Sequence, residues 1–323
     1  MRPLKFHPIL KQTLWGGERI IPYKELASGL SRVGESWELS GMPGSESVVA
    51  EGPWAGSTLS ELIGRFGAEL LGKANYARFG QEFPLLVKFI DAREDLSIQV
   101  HPDDELARKR HGKSGKCEMW YVLEAEPGAS LLTGFSRPIA PAEYERRVAD
   151  NTLTDVLNRQ AIASGDVFYL PAGRVHSIGK GSFIVEIQQS SDITYRIYDF
   201  DRRDAAGHSR ELHTELAREA IDFESSENSR ITYAPENNQE VRLVTTPYFT
   251  TSLYTLTART RCDWSATDSF VAIVLLQGSG SLTDNEGNRI DVRQGETWLL
   301  PASTQWTEIT PHTAPLRLLT SRI

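Results

Sequence analysis

The chain has 323 residues, of which 40% are hydrophobic and 24% charged, a composition typical of a globular protein with a substantial core. Its formal net charge of −8 disfavours sequence-independent binding of nucleic acid, which requires a basic face. Cys117 and Cys262 are the only cysteines, which excludes a disulfide framework and a cysteine-based zinc site. We expect a cytoplasmic protein, because no apolar run resembles a signal peptide or approaches the roughly 18 residues that span a bilayer.

Short apolar runs between Gly and Pro residues predict a mainly β protein. The clearest runs are residues 83–90, 96–101, 119–124, 167–170, 183–188 and 271–276. Three stretches have helical spacing instead. These are residues 58–73, which begin with a capping-box pattern, residues 142–157 behind Pro141, and residues 211–221.

A weak internal repeat indicates two related β units. Residues 165–172 and 295–302 each contain a glycine followed by an acid, a short aromatic strand and Leu-Pro-Ala. His176 follows the first copy, and Trp306 has the corresponding place after the second. With the polar segment 224–240 as a linker, we predict a catalytic domain over residues 1–232 and a second domain, without metal ligands, over residues 233–323.

Four polar residues lie where a barrel would bring them together. Gln99 and His101 are two residues apart, so they would share one face of a strand whose other face carries the apolar residues 96, 98 and 100. Glu118 begins the next strong strand, and His176 follows a strand end. Two histidines, a carboxylate and an amide are a ligand set suited to zinc and compatible with iron or manganese. We therefore predict a metal site here in preference to four unrelated buried polar residues.

A series of motifs in order along nearly the whole chain resembles a known family, the type I mannose-6-phosphate isomerases in their short bacterial form. The motifs are Phe6-His7-Pro8 with Leu14-Trp15-Gly16-Gly17, the Gly-Glu-Ser-Trp-Glu of residues 34–38, the Leu-Ser-Ile-Gln-Val-His-Pro-Asp of residues 96–103, and the segments 116–121, 171–177 and 190–196. The segment at residues 96–103 is the most specific of them.

The resemblance implies a fold and a reaction. It implies cupin (jelly-roll, double-stranded β-helix) barrels in a bicupin arrangement with a few helical insertions. One Zn²⁺ per chain would be held by Gln99, His101, Glu118 and His176. The implied reaction interconverts mannose 6-phosphate and fructose 6-phosphate by proton transfer through a cis-enediol, so the partner would be a small sugar phosphate. Arg196 would act in catalysis, and Glu186 and Lys116 match further cleft positions of the family.

Such a reaction needs a base that takes a proton from the sugar carbon, a group that stabilises charge on the sugar oxygens, and a site that binds the phosphate. Glu186 is our candidate base, because burial can raise a carboxyl pKa toward neutrality, although a structural pairing with an arginine is an equal alternative. Arg196 lies among aromatic strand residues, where burial is costly unless the guanidinium meets an anion. Arg196 and Lys88 are candidate phosphate ligands. Trp15 either lines the sugar site or packs in the core.

Two other functions are compatible with the same residues. Two histidines and one carboxylate also form the facial triad of iron oxygenases, although Gln99 as a fourth ligand argues against oxygen chemistry. A non-catalytic sugar-binding or regulatory module is the second alternative. The intact ligand set together with Arg196 and Glu186 argues against it. The oligomeric state and the preferred sugar cannot be predicted from the sequence.

Overall fold

The computed structural model describes residues 1–224 and 228–323. Its strands are, in chain order, β1 (Leu4–Lys5), β2 (Ile9–Gly17), β3 (Val33–Leu39), β4 (Gly41–Met42), β5 (Ser45–Glu46), β6 (Leu85–Asp91), β7 (Ile98–Val100), β8 (Glu118–Ala125), β9 (Ser130–Phe135), β10 (Leu157–Ala161), β11 (Val167–Leu170), β12 (His176–Ile178), β13 (Ser182–Gln189), β14 (Tyr195–Tyr198), β15 (Arg230–Ile231), β16 (Val241–Thr245), β17 (Thr250–Leu256), β18 (Thr260–Asp263), β19 (Val271–Gln277), β20 (Ser279–Asp284), β21 (Arg289–Arg293), β22 (Thr297–Leu300), β23 (Trp306–Pro311) and β24 (Leu316–Arg322). The α-helices are α1 (Ile20–Tyr23), α2 (Leu59–Phe66), α3 (Ala68–Leu71), α4 (Lys73–Phe79), α5 (Asp104–His111), α6 (Pro141–Ala149) and α7 (Thr214–Ala220), and a 3₁₀ helix spans Leu153–Val156.

The strands form two pairs of antiparallel sheets. In the first pair, a five-stranded sheet (β10-β9-β12-β7-β14) lies against a seven-stranded sheet (β15-β11-β8-β13-β6-β3-β2). In the second pair, a six-stranded sheet (β1-β22-β19-β24-β17-β16) lies against a four-stranded sheet (β18-β23-β20-β21). Strands β4 and β5 form a separate ribbon. The predicted mainly β fold is confirmed.

The alternation of side chains along the central strands sets the order of these layers. In β13, Ile184 belongs to a core between the sheets of the first pair, whereas Val185 and Ile187 belong to a core shared with Ala272 and Val274 of β19. The seven-stranded and six-stranded sheets therefore pack against each other. The four layers follow in the order five-stranded, seven-stranded, six-stranded and four-stranded sheet. Because both faces of its central strands are covered, the seven-stranded sheet needs apolar residues on both faces.

The six strongest strand predictions are confirmed as β6, β7, β8, β11, β13 and β19. The predicted capping box is also confirmed, since the Thr58 side chain accepts the N–H of Glu61 and the Glu61 carboxylate accepts the N–H of Thr58. The predicted helix over residues 58–73 is nevertheless two short helices, α2 and α3, and α4 begins only at Lys73. Gly67 and Gly72, with positive φ angles of 48° and 95°, separate the three.

The predicted helix 142–157 is wrong in its second half. Helix α6 begins at Pro141 as expected but ends at Ala149. Asn151 then adopts a φ of 54°, and the chain continues as the 3₁₀ helix and strand β10. The third predicted helix, over residues 211–221, is observed as the shorter α7, which spans Thr214–Ala220. Helix α5 was not predicted, because Ala107 is its only buried residue and its sequence has no apolar periodicity.

The predicted linker 224–240 falls partly outside the described residues, which omit residues 225–227. On its described part, β15 pairs with β11 of the seven-stranded sheet, and β16 of the six-stranded sheet begins at Val241. At the other end of the chain, β1 pairs with β22. The bicupin arrangement and the boundary after residue 232 stay predictions. Within the described residues, no helix is long and apolar enough to cross a membrane.

The core between the two large sheets should dominate stability. Leu319 on β24 lies in this core and is 0% exposed, whereas Leu30 is 42% exposed. We expect Leu319→Ala to lower the free energy of unfolding by about 2–5 kcal/mol, because it removes buried methyl groups and leaves a cavity. Urea denaturation measures this change. Leu30→Ala is the matched control and should change stability by less than about 0.5 kcal/mol; equal losses in the two variants would contradict the shared core.

Candidate metal centre and active site

Four polar side chains form a row across the inner face of the five-stranded sheet. His176 of β12 lies opposite Thr133 of β9 on one side and opposite Gln99 of β7 on the other. Arg196 of β14 lies opposite Gln99. Directly opposite residues of antiparallel strands share a face, so all four point the same way. The sequence predicted the face of Gln99 correctly, but Leu96 does not share the face of Ile98, because it precedes β7 and packs in the core between the two sheets of this pair.

A second row crosses the seven-stranded sheet. Trp120 of β8 lies opposite Glu186 of β13, Glu186 lies opposite Lys88 of β6, and Lys88 lies opposite Trp37 of β3. Glu118 is two residues before Trp120 and therefore shares its face. The two sheets thus bring the candidate metal ligands and the candidate proton-transfer groups into one space.

His101, Glu118 and His176 form a buried cluster whose ligand atoms lie within 4.8 Å of one another. The Nδ1–H of His101 donates to the carbonyl of Ile193 over 2.7 Å, and that of His176 donates to the carbonyl of Arg174 over 2.8 Å. A carbonyl only accepts, so both histidines carry their proton on Nδ1 and present an Nε2 lone pair to the cluster. Burial, followed by Lys116, lowers the pKa of His101 well below its usual value and that of His176 to about 4.

Lys116 Nζ donates into the cluster, but the ligand atoms of its three members are all acceptors, and a cation stabilises such an arrangement. His176 Nε2 is 3.2 Å from Glu118 Oε1, and His101 Nε2 is 3.5 Å from Glu118 Oε2. Glu118 Oε1 is buried and has no hydrogen-bond partner among the described residues. The side-chain amide of Gln99 lies 3.3 Å from His176 Nε2, and a half-turn of this amide exchanges its nitrogen for its oxygen. These nitrogen and oxygen donors fit a divalent cation of the zinc type.

Lys116, Lys88 and Glu186 lie next to Glu118 of this cluster. Lys116 Nζ donates to Glu118 Oε2 over 2.6 Å, and Lys88 Nζ lies 3.2 Å from Glu186 Oε1. Burial and then Glu186 raise the pKa of Glu118 to about 7, against the effect of Lys116. Burial alone would raise the pKa of Glu186, but Lys116, Lys88 and Trp120 bring it down to about 2. The expectation of a raised Glu186 pKa is wrong for that reason. The Glu186 carboxylate is paired with lysines and an indole rather than with an arginine.

A cleft of about 530 Å³ borders this charged group. Its lining is formed by Gln12, Thr13, Leu14, Trp15, Arg32, Glu35 and Arg210. Glu35 connects the cleft to the interior, since its Oε2 accepts the indole N–H of Trp37 over 2.6 Å and lies 3.7 Å from Lys88 Nζ. Trp15 borders the cleft but is only 4% exposed and packs in the core between the two sheets. Its role in substrate binding stays a prediction.

Arg196 lies near Arg202 and Arg210, which surround Asp199. Asp199 accepts hydrogen bonds from Arg202 and Arg210. Arg196 donates to the carbonyl of Glu211 over 2.8 Å, and within residues 1–224 and 228–323 its buried Nε has no hydrogen-bond partner. Burial and then Arg210 lower the pKa of Arg196. This positive group, at the end of the row that carries Gln99 and His176, is suited to an anion.

Several of these residues were missed from the sequence. Trp120 and Glu35 lie within the motifs but were given no role, although each shares a strand face with a charged or aromatic residue two positions away. Glu118 and Trp120 are two apart, as are Glu35 and Trp37, which is the signal that could have placed them. Arg202 and Arg210 follow a strand end in an irregular segment, where no periodicity indicates a direction.

The comparisons with known proteins agree with this site. A model of the phosphomannose isomerase type I catalytic domain matches residues 4–132. Mannose-6-phosphate isomerase ManA of Bacillus subtilis is 33% identical over 302 residues, which cover 93% of each chain. The chain belongs to the type I phosphomannose isomerase family. The resemblance found in the sequence is thereby confirmed, and with it the expectation of an aldose–ketose isomerase.

Further relatives of the family extend over the whole length. Mannose-6-phosphate isomerase of Streptococcus mutans is 33% identical over 302 residues, covering 93% of this chain and 92% of that protein. The crystal structure of mannose 6-phosphate isomerase from Bacillus subtilis superposes with a TM-score of 0.90 at 30% identity and covers 100% of both chains. A variant of phosphomannose isomerase from Salmonella typhimurium, at 16% identity and a TM-score of 0.79, shares the fold.

The arginine group should make stability depend on pH. Burial would raise the pKa of Asp199, but Arg210 and Arg202 hold it below its usual value. A carboxyl pKa depressed in the folded state contributes stability above the unfolded pKa near 3.9, and this contribution is lost as pH falls through the folded pKa. We expect Asp199→Asn to lower the free energy of unfolding at pH 7 by about 1 kcal/mol, a figure kept low because the arginines are partly solvated.

Urea denaturation of both proteins between pH 7 and pH 3 measures this effect, and the difference should close below about pH 4. Asp192→Asn is the control, because Asp192 and its partner Lys113 are both half exposed. A difference for Asp199→Asn that is unchanged down to pH 3 would contradict the assignment.

Proposed function

We propose that the protein is a zinc-dependent mannose-6-phosphate isomerase that interconverts mannose 6-phosphate and fructose 6-phosphate through a cis-enediol. One observation carries the proposal. A buried His-Glu-His cluster and a buried Glu186–Lys88 pair lie in the same space between the two sheets, and a cleft and a group of arginines lie beside it. The names of the relatives supply the substrate, and a cytoplasmic location goes with this role.

His101, Glu118, His176 and Gln99 would hold one Zn²⁺ per chain. The neutral imidazoles and the acceptor of Glu118 that lacks a hydrogen bond support this role. Zinc supplies a Lewis acid for the sugar oxygens and fixes the sugar in place. The two backbone carbonyls that accept from the histidines keep both rings in the orientation that binding requires.

The proton transfer would involve Glu186, Lys116 and Lys88. Because the pKa of Glu186 is about 2, its carboxylate is ionised at neutral pH and can accept a proton from C1 or C2 of the sugar. The Lys116 ammonium lies between the metal ligands and Glu186, 3.1 Å from His101 Nε2 and 3.9 Å from Glu186 Oε1. It can donate to the oxygens of the enediol, and Lys88 holds Glu186 Oε1 in place.

The phosphate would bind at the arginines. Among the described residues, the Nε of Arg196 has no hydrogen-bond partner and is left to bind an anion, and Arg202 and Arg210 both donate to Asp199. A phosphate dianion offers the bidentate acceptors that guanidinium groups fit. This arrangement makes Arg196 and its neighbours a better phosphate site than Lys88, which is buried against Glu186 and Glu35. Trp15, which is one of the residues lining the cleft, would contact the sugar.

Zinc-dependent turnover is the direct test. We expect purified, zinc-loaded protein to convert mannose 6-phosphate to fructose 6-phosphate, and we expect chelator to abolish the conversion. His101→Ala should bind substoichiometric zinc and lose activity by about 100-fold or more, because it removes a ligand. His312→Ala is the control and should match the wild type. A folded, zinc-loaded wild type without turnover would reject the assignment, and turnover of a different substrate that requires oxygen and iron would favour the oxygenase alternative.

The role of Glu186 has a separate test. Glu186→Gln keeps the shape of the side chain but removes its ability to accept a proton. We expect kcat to fall by about 10²–10⁴-fold with zinc content unchanged. Exchange of the C2 proton of the sugar with deuterated water, followed by NMR, should fall in parallel. Retained exchange would assign the base to another residue.

A further inference from the structure

Trp120 connects the metal cluster to the proton-transfer pair. It is 0% exposed and belongs to the core between the two sheets. Its indole Nε1–H donates to Glu186 Oε2 over 2.9 Å. Its ring meets that of His176 nearly at right angles, with centroids 5.4 Å apart and an interplanar angle of 77°. One side chain therefore contacts both a candidate metal ligand and the candidate base.

The hydrogen bond restricts how the Glu186 carboxylate can turn. A buried indole N–H and a buried carboxylate oxygen each lose free energy when left without a partner. Because the indole binds Oε2, the other oxygen, Oε1, is the one directed at Lys88, 3.2 Å away, and at Lys116, 3.9 Å away. Because the two oxygens of a carboxylate are equivalent, a half-turn restores the same contacts, whereas any smaller rotation would weaken the indole bond and both contacts to the lysines.

The indole itself has little freedom to move. Trp120 lies opposite Glu186 on β13 and opposite Phe168 on β11, so both neighbouring strands fix its position. Phe168 is buried in the same core. The ring also makes an edge-to-face contact with His176, a geometry that is favourable for aromatic pairs.

We propose that Trp120 is a positioning residue for the isomerisation, whose N–H fixes Glu186 with Oε1 toward the substrate and whose ring fixes the orientation of His176. The inference rests on the proposed function, since it assigns Trp120 to the step that Glu186 performs. Trp120 contacts Glu186 through its N–H and His176 through its ring, so it acts through these two residues.

Trp120→Phe removes the N–H and keeps an aromatic ring. We expect kcat to fall by about 10- to 100-fold, as for other residues that orient a reacting group, while KM changes by less than about threefold and zinc content is unchanged. Trp298 provides a matched control. It is 2% exposed and donates its Nε1–H to Glu296 Oε2 over 3.1 Å, but it lies in the second pair of sheets. Trp298→Phe should leave both kinetic constants unchanged.

Combination with Glu186→Gln separates positioning from a general loss of structure. If Trp120 acts through Glu186, then Trp120→Phe lowers kcat further by less than about twofold when Glu186 is already Gln. A structural effect would lower kcat by the same factor in both backgrounds, and that result would overturn the proposal.

An NMR measurement tests the contact independently of activity. In protein labelled with ¹⁵N at the indoles, the signal that disappears in Trp120→Phe belongs to Trp120. We expect Glu186→Gln to shift this signal and to leave that of Trp298 in place. An unmoved signal, or a full kcat in Trp120→Phe while the wild type turns over, overturns the positioning role alone. A wild type without turnover overturns the proposed function as well.

Discussion

Two lysines and two glutamates are buried between the sheets of the first pair, and their mutual pairing is the constraint on which the site depends. Burying a single ion costs several kcal/mol even after the protein relaxes, so an unpaired one would not be tolerated. Lys116 pairs with Glu118, Lys88 pairs with Glu186, and Lys116 also lies within 4 Å of Glu186. The lysines lower the pKa of both carboxyl groups. That of Glu186 falls to about 2, whereas burial and Glu186 keep the pKa of Glu118 raised, at about 7.

The pairing is possible because strand register places the partners opposite each other. Glu186 lies between Trp120 and Lys88 in one row across three strands, and His176, Gln99 and Arg196 form the facing row. A shift of one residue in either sheet would turn a whole row to the opposite face. The metal cluster, the proton-transfer pair and the arginines are therefore set by two registers rather than by separate local structures.

The sequence predicted what a single strand determines. The shared face of Gln99 and His101 and the start of the helix at Thr58 follow from local periodicity and capping, and the structure agrees with both. The lowered pKa of Glu186 could not be predicted, because it depends on Lys88 and Trp120, which lie 98 and 66 positions away and meet it only through register. The end of α6 and the direction of Arg210 depend likewise on tertiary packing rather than on a repeat.

The second pair of sheets supports the site through packing. Between its own sheets the aromatic residues Tyr254, Trp264 and Trp298 fill the space that charged groups occupy in the first pair. Trp306, at the position corresponding to His176, stacks on Arg261. On the other face of its six-stranded sheet, Ala272 and Val274 pack in one core with Val87 and Val185, the neighbours in sequence of Lys88 and Glu186. Successive side chains of a strand point to opposite faces of the sheet. When one side chain is packed in the core on one face, its neighbour in sequence must therefore point to the other face. The tight core behind β6 and β13 thus holds the backbone from which Lys88 and Glu186 project.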